Sequence, residues 1–176
     1  MNTKAFLDIV AWVTVIAVGA YQIYKSVKRL NQHVAGRKEF LEVNKETLNE
    51  AFLEHKTWAL IYGACAAVLL VTGVYMILNK DNYLYAVTCI SLGLILVGFT
   101  IDSFVTRRSW YYETGFFFEY KFHRYRSLAH VGPRKGLIPT YDVRFHSNPD
   151  MVVTKKMGEK LLVKQAEWKK AKKEKK

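Results

Sequence analysis

TWALIYGACAAVLLVTGVYMIL (residues 57–78) is followed by Asn79-Lys80-Asp81-Asn82 and then by YLYAVTCISLGLILVGFTI (residues 83–101). Neither apolar run contains a charged residue. Each residue of a helix adds about 1.5 Å, so about 20 apolar residues cross a hydrocarbon core of about 30 Å. A lone segment in lipid satisfies its backbone groups only as a helix. The pair therefore predicts a tight hairpin of two transmembrane helices, with Asn79-Lys80-Asp81-Asn82 as its link.

Upstream, residues 5–24 form a third such run, interrupted only by Asp8. Tyr21 and Tyr24 close it, Trp58 opens the second and Tyr83 and Tyr85 open the third, placing amphipathic rings at the headgroup level. Lys4 ahead of the first run and the small residues Val18-Gly19-Ala20 imitate a signal peptide. The run is too long for one, however, and Lys25, Lys28 and Arg29 follow it directly. Lys25, Lys28, Arg29, Lys56, Arg107 and Arg108 flank one side of the three spans, against Lys4 and Lys80 on the other. The positive-inside rule then predicts an N-out, C-in protein of a bacterial cytoplasmic membrane.

The chain of 176 residues carries a net charge of +12, unevenly spread. Residues 25–56 hold +2, residues 105–176 hold +11 and the rest −1. Residues 25–56 are read as a largely helical cytoplasmic loop with a break at Ala35-Gly36, and Glu42, Glu46, Glu50 and Glu54 as one solvated helical stripe. Cys65 and Cys89 lie inside apolar runs and suit neither a disulfide framework nor a metal pair.

The chain changes character after Arg108. Phe116, Phe118, Tyr120 and Phe122 alternate with Phe117, Glu119, Lys121 and His123, a period of two that predicts one strand with one buried face. Trp110-Tyr111-Tyr112 is its expected partner across Thr114-Gly115. Gly132-Pro133-Arg134-Lys135-Gly136 reads as a loop, Tyr141, Val143 and Phe145 mark another strand, and Met151-Val152-Val153 a further one. Lys156-Met157-Gly158-Glu159 reads as a turn, and residues 159–176, rich in Lys, Leu, Ala and Glu, as a basic helix or tail. The predicted fold is thus three transmembrane helices (5–24, 57–78, 83–101), a small antiparallel β-rich domain over 105–158 and a terminal basic helix.

Trp110-Tyr111-Tyr112-Glu113-Thr114-Gly115-Phe116, the alternating strand after it and Met151-Val152-Val153-Thr154-Lys155-Lys156 carry a resemblance. Residues 108–168 resemble the small pleckstrin-homology-like domains that follow helical hairpins in many bacterial membrane proteins, in a version reduced below seven strands. The resemblance implies a binding or assembly module and no catalytic residues.

The chemistry-bearing residues point the same way. The five histidines show no metal-ligand spacing, and no phosphate-cradling glycine loop or activated nucleophile is present. The reading is therefore non-enzymatic and without cofactor. His123 and His146 fall on the polar phase of their predicted strands, as solvated residues. Lys164, Lys169, Lys170, Lys172, Lys173, Lys175 and Lys176, with Trp168 among them, suit an anionic phospholipid surface, where each lysine contributes about 1 kcal/mol. The plainer use of such a tail is to fix topology, and a third is attraction to nucleic acid or the ribosome. Ala59, Gly63 and Ala67 form a small-residue stripe suited to packing within the chain or to a homo-oligomer. Asp8, Asp102, Arg107 and Arg108 are ionisable groups at span edges, with Asp102 expected to face one of the two arginines. The functional expectation is a membrane protein whose basic module binds protein partners in the membrane or the anionic surface. An immunity protein against membrane-active peptides, or an accessory subunit of a transporter or secretion complex, are its alternatives.

Overall fold

The computed structural model describes residues 3–43, 47–79, 82–136 and 139–174. Helices α1 (Thr3–Val43), α2 (His55–Leu78) and α3 (Tyr83–Thr106) are long and apolar enough to cross a membrane. Two compact units result. One takes the chain up to Gln32 together with His55–Val105; the other takes His33–Glu54 and everything from Thr106 onward.

In the helical unit the large apolar side chains point outward: Leu60, Val68, Val71, Leu78 and Leu84 are each at least 65% exposed. Helices apolar all round suit an apolar surrounding. Small residues set the distance between them. A Cβ on Gly73 would meet Ile90 at 2.6 Å, one on Gly93 would meet Leu70 at 2.7 Å, and Ala66 and Ala86 are buried beside them. Gly19 and Gly98 do the same between α1 and α3, against Leu94 and Gln22. The stripe in use on α2 is thus Ala66 and Gly73, seven residues apart on one face. Of the expected stripe Ala59, Gly63 and Ala67, a Cβ on Gly63 would lie 3.9 Å from Thr100, Ala59 is half-buried and Ala67 is exposed. Asp102 pairs with Arg29 of α1 at 3.5 Å, which sets the end of α3 level with the later turns of α1. The Tyr83 hydroxyl donates to the backbone carbonyl of Asp8 at 2.9 Å.

The second unit corrects several expectations. The first helix does not end near Tyr24, nor break at Ala35-Gly36; it runs to Val43. Gly36 is needed for closeness: a Cβ there would lie 2.6 Å from the carbonyl oxygen of Tyr120. The expected loop also supplies a strand, β1 (Leu48–Leu53), which pairs antiparallel with β2 (Arg108–Tyr112). Strands β3 (Gly115–Phe118) and β4 (Lys121–Arg124) complete a sheet of order β1-β2-β3-β4. The glutamate stripe is therefore not one helical face: Glu42 is helical, Glu50 lies in β1, Glu54 just follows it, and Glu46 lies outside the described residues.

The single strand expected over Phe116–His123 is a hairpin, turning at Glu119 and Tyr120. Its alternation fails because β3 is buried on both faces. Phe116 and Phe118 join a core with Tyr111, Val143, Met157 and Leu161, while Phe117 joins Phe40, Trp110 and Tyr112 on the opposite side. Each such fully buried side chain contributes about 1.5–3 kcal/mol.

A second sheet, β5 (Leu128–Arg134), β6 (Thr140–Phe145) and β7 (Met151–Thr154), covers the larger core. Gly132, Pro133 and Arg134, expected as loop, belong to β5, an edge strand where proline's missing N–H is tolerated. Helix α4 (Lys155–Glu174) starts four residues earlier than expected. The expected turn at Lys156–Glu159 is its first turn, with Met157 fully buried.

Candidate functional site: the terminal helix and its groove

Helix α4 is held at its root by the buried side chains of Met157 and Leu161, and above them by ion pairs. Glu50 of β1 pairs with Lys160, and with Lys164 at 3.6 Å. Glu54 pairs with Lys156 at 3.8 Å and Arg107 at 3.9 Å, and accepts a hydrogen bond from the Thr154 hydroxyl at 3.1 Å. The hydrogen bond from Lys160 holds the Glu50 carboxyl below the usual carboxylate range. Lys164, bonded chiefly to Glu167 at 2.9 Å, has its ammonium pushed above the usual lysine range.

Further along, Trp168 turns inward. It packs against the larger core, its ring centroid 6.3 Å from that of Tyr125. Lys164, Trp168 and Lys172 recur every four residues and so share one face of the helix. That face lines a groove of about 460 Å³ with Tyr112, Glu113, Thr114, Tyr125 and Glu167. Lys172 stands over the Trp168 ring at 5.5 Å. A volume of this order, aromatic on its walls and charged at its rim, suits one or two side chains of a bound segment.

Lys169, Lys170 and Lys173 lie on other faces, exposed and with no acidic partner among the described residues. The sequence-predicted cations thus divide. Lys164 and Lys172 join Trp168 at the groove, Lys169, Lys170 and Lys173 face solvent, and Lys175 and Lys176 lie outside the described residues.

At the span edges, Asp102 meets Arg29 at 3.5 Å and Arg107 meets Glu54 at 3.9 Å. Arg108 stands 5.0 Å from the Trp110 ring. No group of three or more His, Cys, Asp or Glu among the described residues is arranged to hold a metal ion. His146 is exposed, whereas His123 is partly buried between the rings of Phe116 and Phe145, contrary to expectation.

Sequence reasoning missed Glu50 and Glu54 as anchors of α4, and missed the packing of His33 and Arg37 against Trp110. One signal was available: His33, Gly36, Arg37 and Phe40 recur at spacings of three and four, one face of a helix. In comparisons with protein-family models, curated proteins and solved structures, nothing matches this chain.

Proposed function

We propose that this is a non-enzymatic, multi-pass protein of a bacterial cytoplasmic membrane, N-terminus out and C-terminus in, whose basic module acts by binding the anionic leaflet. The carrying observation is the division of the α4 lysines. Those near its root are engaged by Glu50 and Glu54, while Lys169, Lys170 and Lys173 are left solvated on a helix anchored by those pairs and by buried Met157 and Leu161. Lysines fixed on one rigid element near an anionic surface add their attractions without an ordering cost at each encounter. Seven strands among the described residues, in sheets of four and three closed by a C-terminal helix, support a pleckstrin-homology-like module. In this reading the hairpin α2–α3 is inserted between its first and second strands.

The test uses the full chain in nanodiscs of phosphatidylcholine alone, or of phosphatidylcholine doped with phosphatidylglycerol. Hydrogen exchange over residues 165–174 should slow in the anionic discs. It should recover in 1 M salt, where the Debye length is about 3 Å. Equal exchange in both discs removes the reading.

The groove favours a second activity of the same module, capture of a protein partner. Tyr112, Tyr125 and Trp168 offer aromatic walls, the residue types that dominate binding hot spots.

A further inference from the structure

We propose that Arg37 and Arg108 form a second binding site, which holds a phosphate-type oxyanion beside Trp110. Its residues are separate from the α4 lysines and from the groove.

Arg37 lies one turn after His33 on α1, and Arg108 opens β2 two residues before Trp110, on the same side of the strand. The helix face and the strand face meet over the indole. The Arg37 guanidinium carbon is 4.1 Å and that of Arg108 is 5.0 Å from the centre of the Trp110 ring, so the two cations lie within about 9 Å of each other. Trp110 itself is only 3% exposed.

Two like charges are gathered here. Among the described residues neither arginine has a carboxylate at ion-pair distance, while Glu50 and Glu54 of the same unit are committed to other cations. The Nε–H groups of both arginines are buried without an acceptor. His33, 2% exposed, stands 5.3 Å from the Trp110 ring and forms the apolar floor beside it. Burial, and then the neighbouring Arg37, depress the Arg108 pKa, as expected where a balancing anion is wanting.

The ring contacts leave the Nε–H groups of the guanidiniums without an acceptor. Their N–H donors lie in the guanidinium plane, in the fork that matches oxyanions, and both side chains are partly exposed, so the site is open to solvent. A carboxylate carries one charge and would neutralise one arginine. A phosphate group offers several oxygens in a tetrahedral array and up to two charges, enough for both. Inorganic phosphate, a phosphate monoester and a lipid phosphate share this chemistry.

The experiment follows thermal unfolding of the full chain in an uncharged, phosphate-free detergent. One arm adds sodium phosphate, another sodium chloride at equal ionic strength, and a third short-chain phosphatidic acid against short-chain phosphatidylcholine. The midpoint should rise with phosphate but not with chloride if the anion is free. It should rise with phosphatidic acid alone if the anion is a lipid headgroup. Arg37→Gln and Arg108→Gln should each weaken binding about ten- to hundredfold, the loss expected for charged hydrogen bonds. In the sodium phosphate arm, Lys169→Gln with Lys170→Gln should leave the rise in midpoint unchanged, which separates this site from the surface attraction proposed above. If neither phosphate source moves the midpoint beyond its control, the site does not exist. That comparison needs only the unaltered protein, so it stands even where a variant fails to fold. Glutamine variants that fold and bind as tightly as the parent would also overturn it.

Discussion

His123 lies between two phenyl rings, 5.3 Å from Phe116 and 4.8 Å from Phe145, both nearly parallel to it. Strand alternation alone puts it on the side opposite Phe116. The two-residue turn at Glu119 and Tyr120 reverses that parity, because Phe116 and His123 become cross-strand partners and so share a face. Burial, helped by Lys121, pushes the imidazole pKa down from 6.5 to about 4. The folded chain therefore keeps His123 neutral over a range where the unfolded chain binds a proton. Acid then draws the equilibrium toward unfolding. This contribution is fully present above about pH 6.5, falls as pH drops toward 4 and is flat below, a loss of about 3 kcal/mol in all. Urea unfolding in detergent across that range should show the slope, and His123→Phe should remove most of it. A parent and a variant with the same pH dependence would refute the assignment.

At the scale of elements, the joint between α1 and the β3–β4 hairpin shows why a helix-breaking residue sits inside a helix. Glu119 has φ of 52°, a left-handed conformation that costs a non-glycine residue roughly 1–2 kcal/mol. Its carbonyl accepts a hydrogen bond from His33 Nδ1, and the next carbonyl, of Tyr120, rests against Gly36. One turn of α1 thus holds both carbonyls of the strained turn. An exposed glycine inside a helix is normally improved by alanine, by about 1 kcal/mol. Here the sign should reverse, because the added methyl would meet backbone at 2.6 Å. Gly36→Ala should destabilise the protein by about 1–3 kcal/mol in chemical unfolding; a gain in stability would show that α1 and the hairpin do not dock this way. A sequence containing Gly36 gives no hint of this contact, since the atom that requires it is 84 residues away.

For the whole molecule, the second compact unit is discontinuous in sequence. Leu53 pairs with Arg108, and the Glu54 amide donates to the Arg107 carbonyl at 3.2 Å, so the chain leaves the module and returns at one place. A fragment of residues 105–176 lacks β1, exposes the edge of β2 and loses the glutamates that anchor α4. It should aggregate or give a poorly dispersed NMR spectrum. Residues 33–54 joined to 106–176 through a short glycine linker should be soluble and cooperative in unfolding. A well-dispersed spectrum from the shorter fragment would contradict this division of the chain.

The three apolar helices were legible in the sequence because hydrophobicity over about 20 residues is a local property that each run carries by itself. So were the concentration of charge after the last of them, the pairing of Trp110–Tyr112 with the strand after it, and the helical tail. Which residues face which was not legible. The strand in the expected loop pairs with a partner across the whole α2–α3 hairpin, and backbone pairing leaves no mark on the residues that make it. The both-sided burial of Phe116, Phe117 and Phe118, the turn that brings His123 inward, the division of the lysines by Glu50 and Glu54, and the meeting of Arg37 with Arg108 over Trp110 all depend on that assembly. Only the tertiary structure decided them, because each rests on contacts between segments whose local patterns are independent of one another.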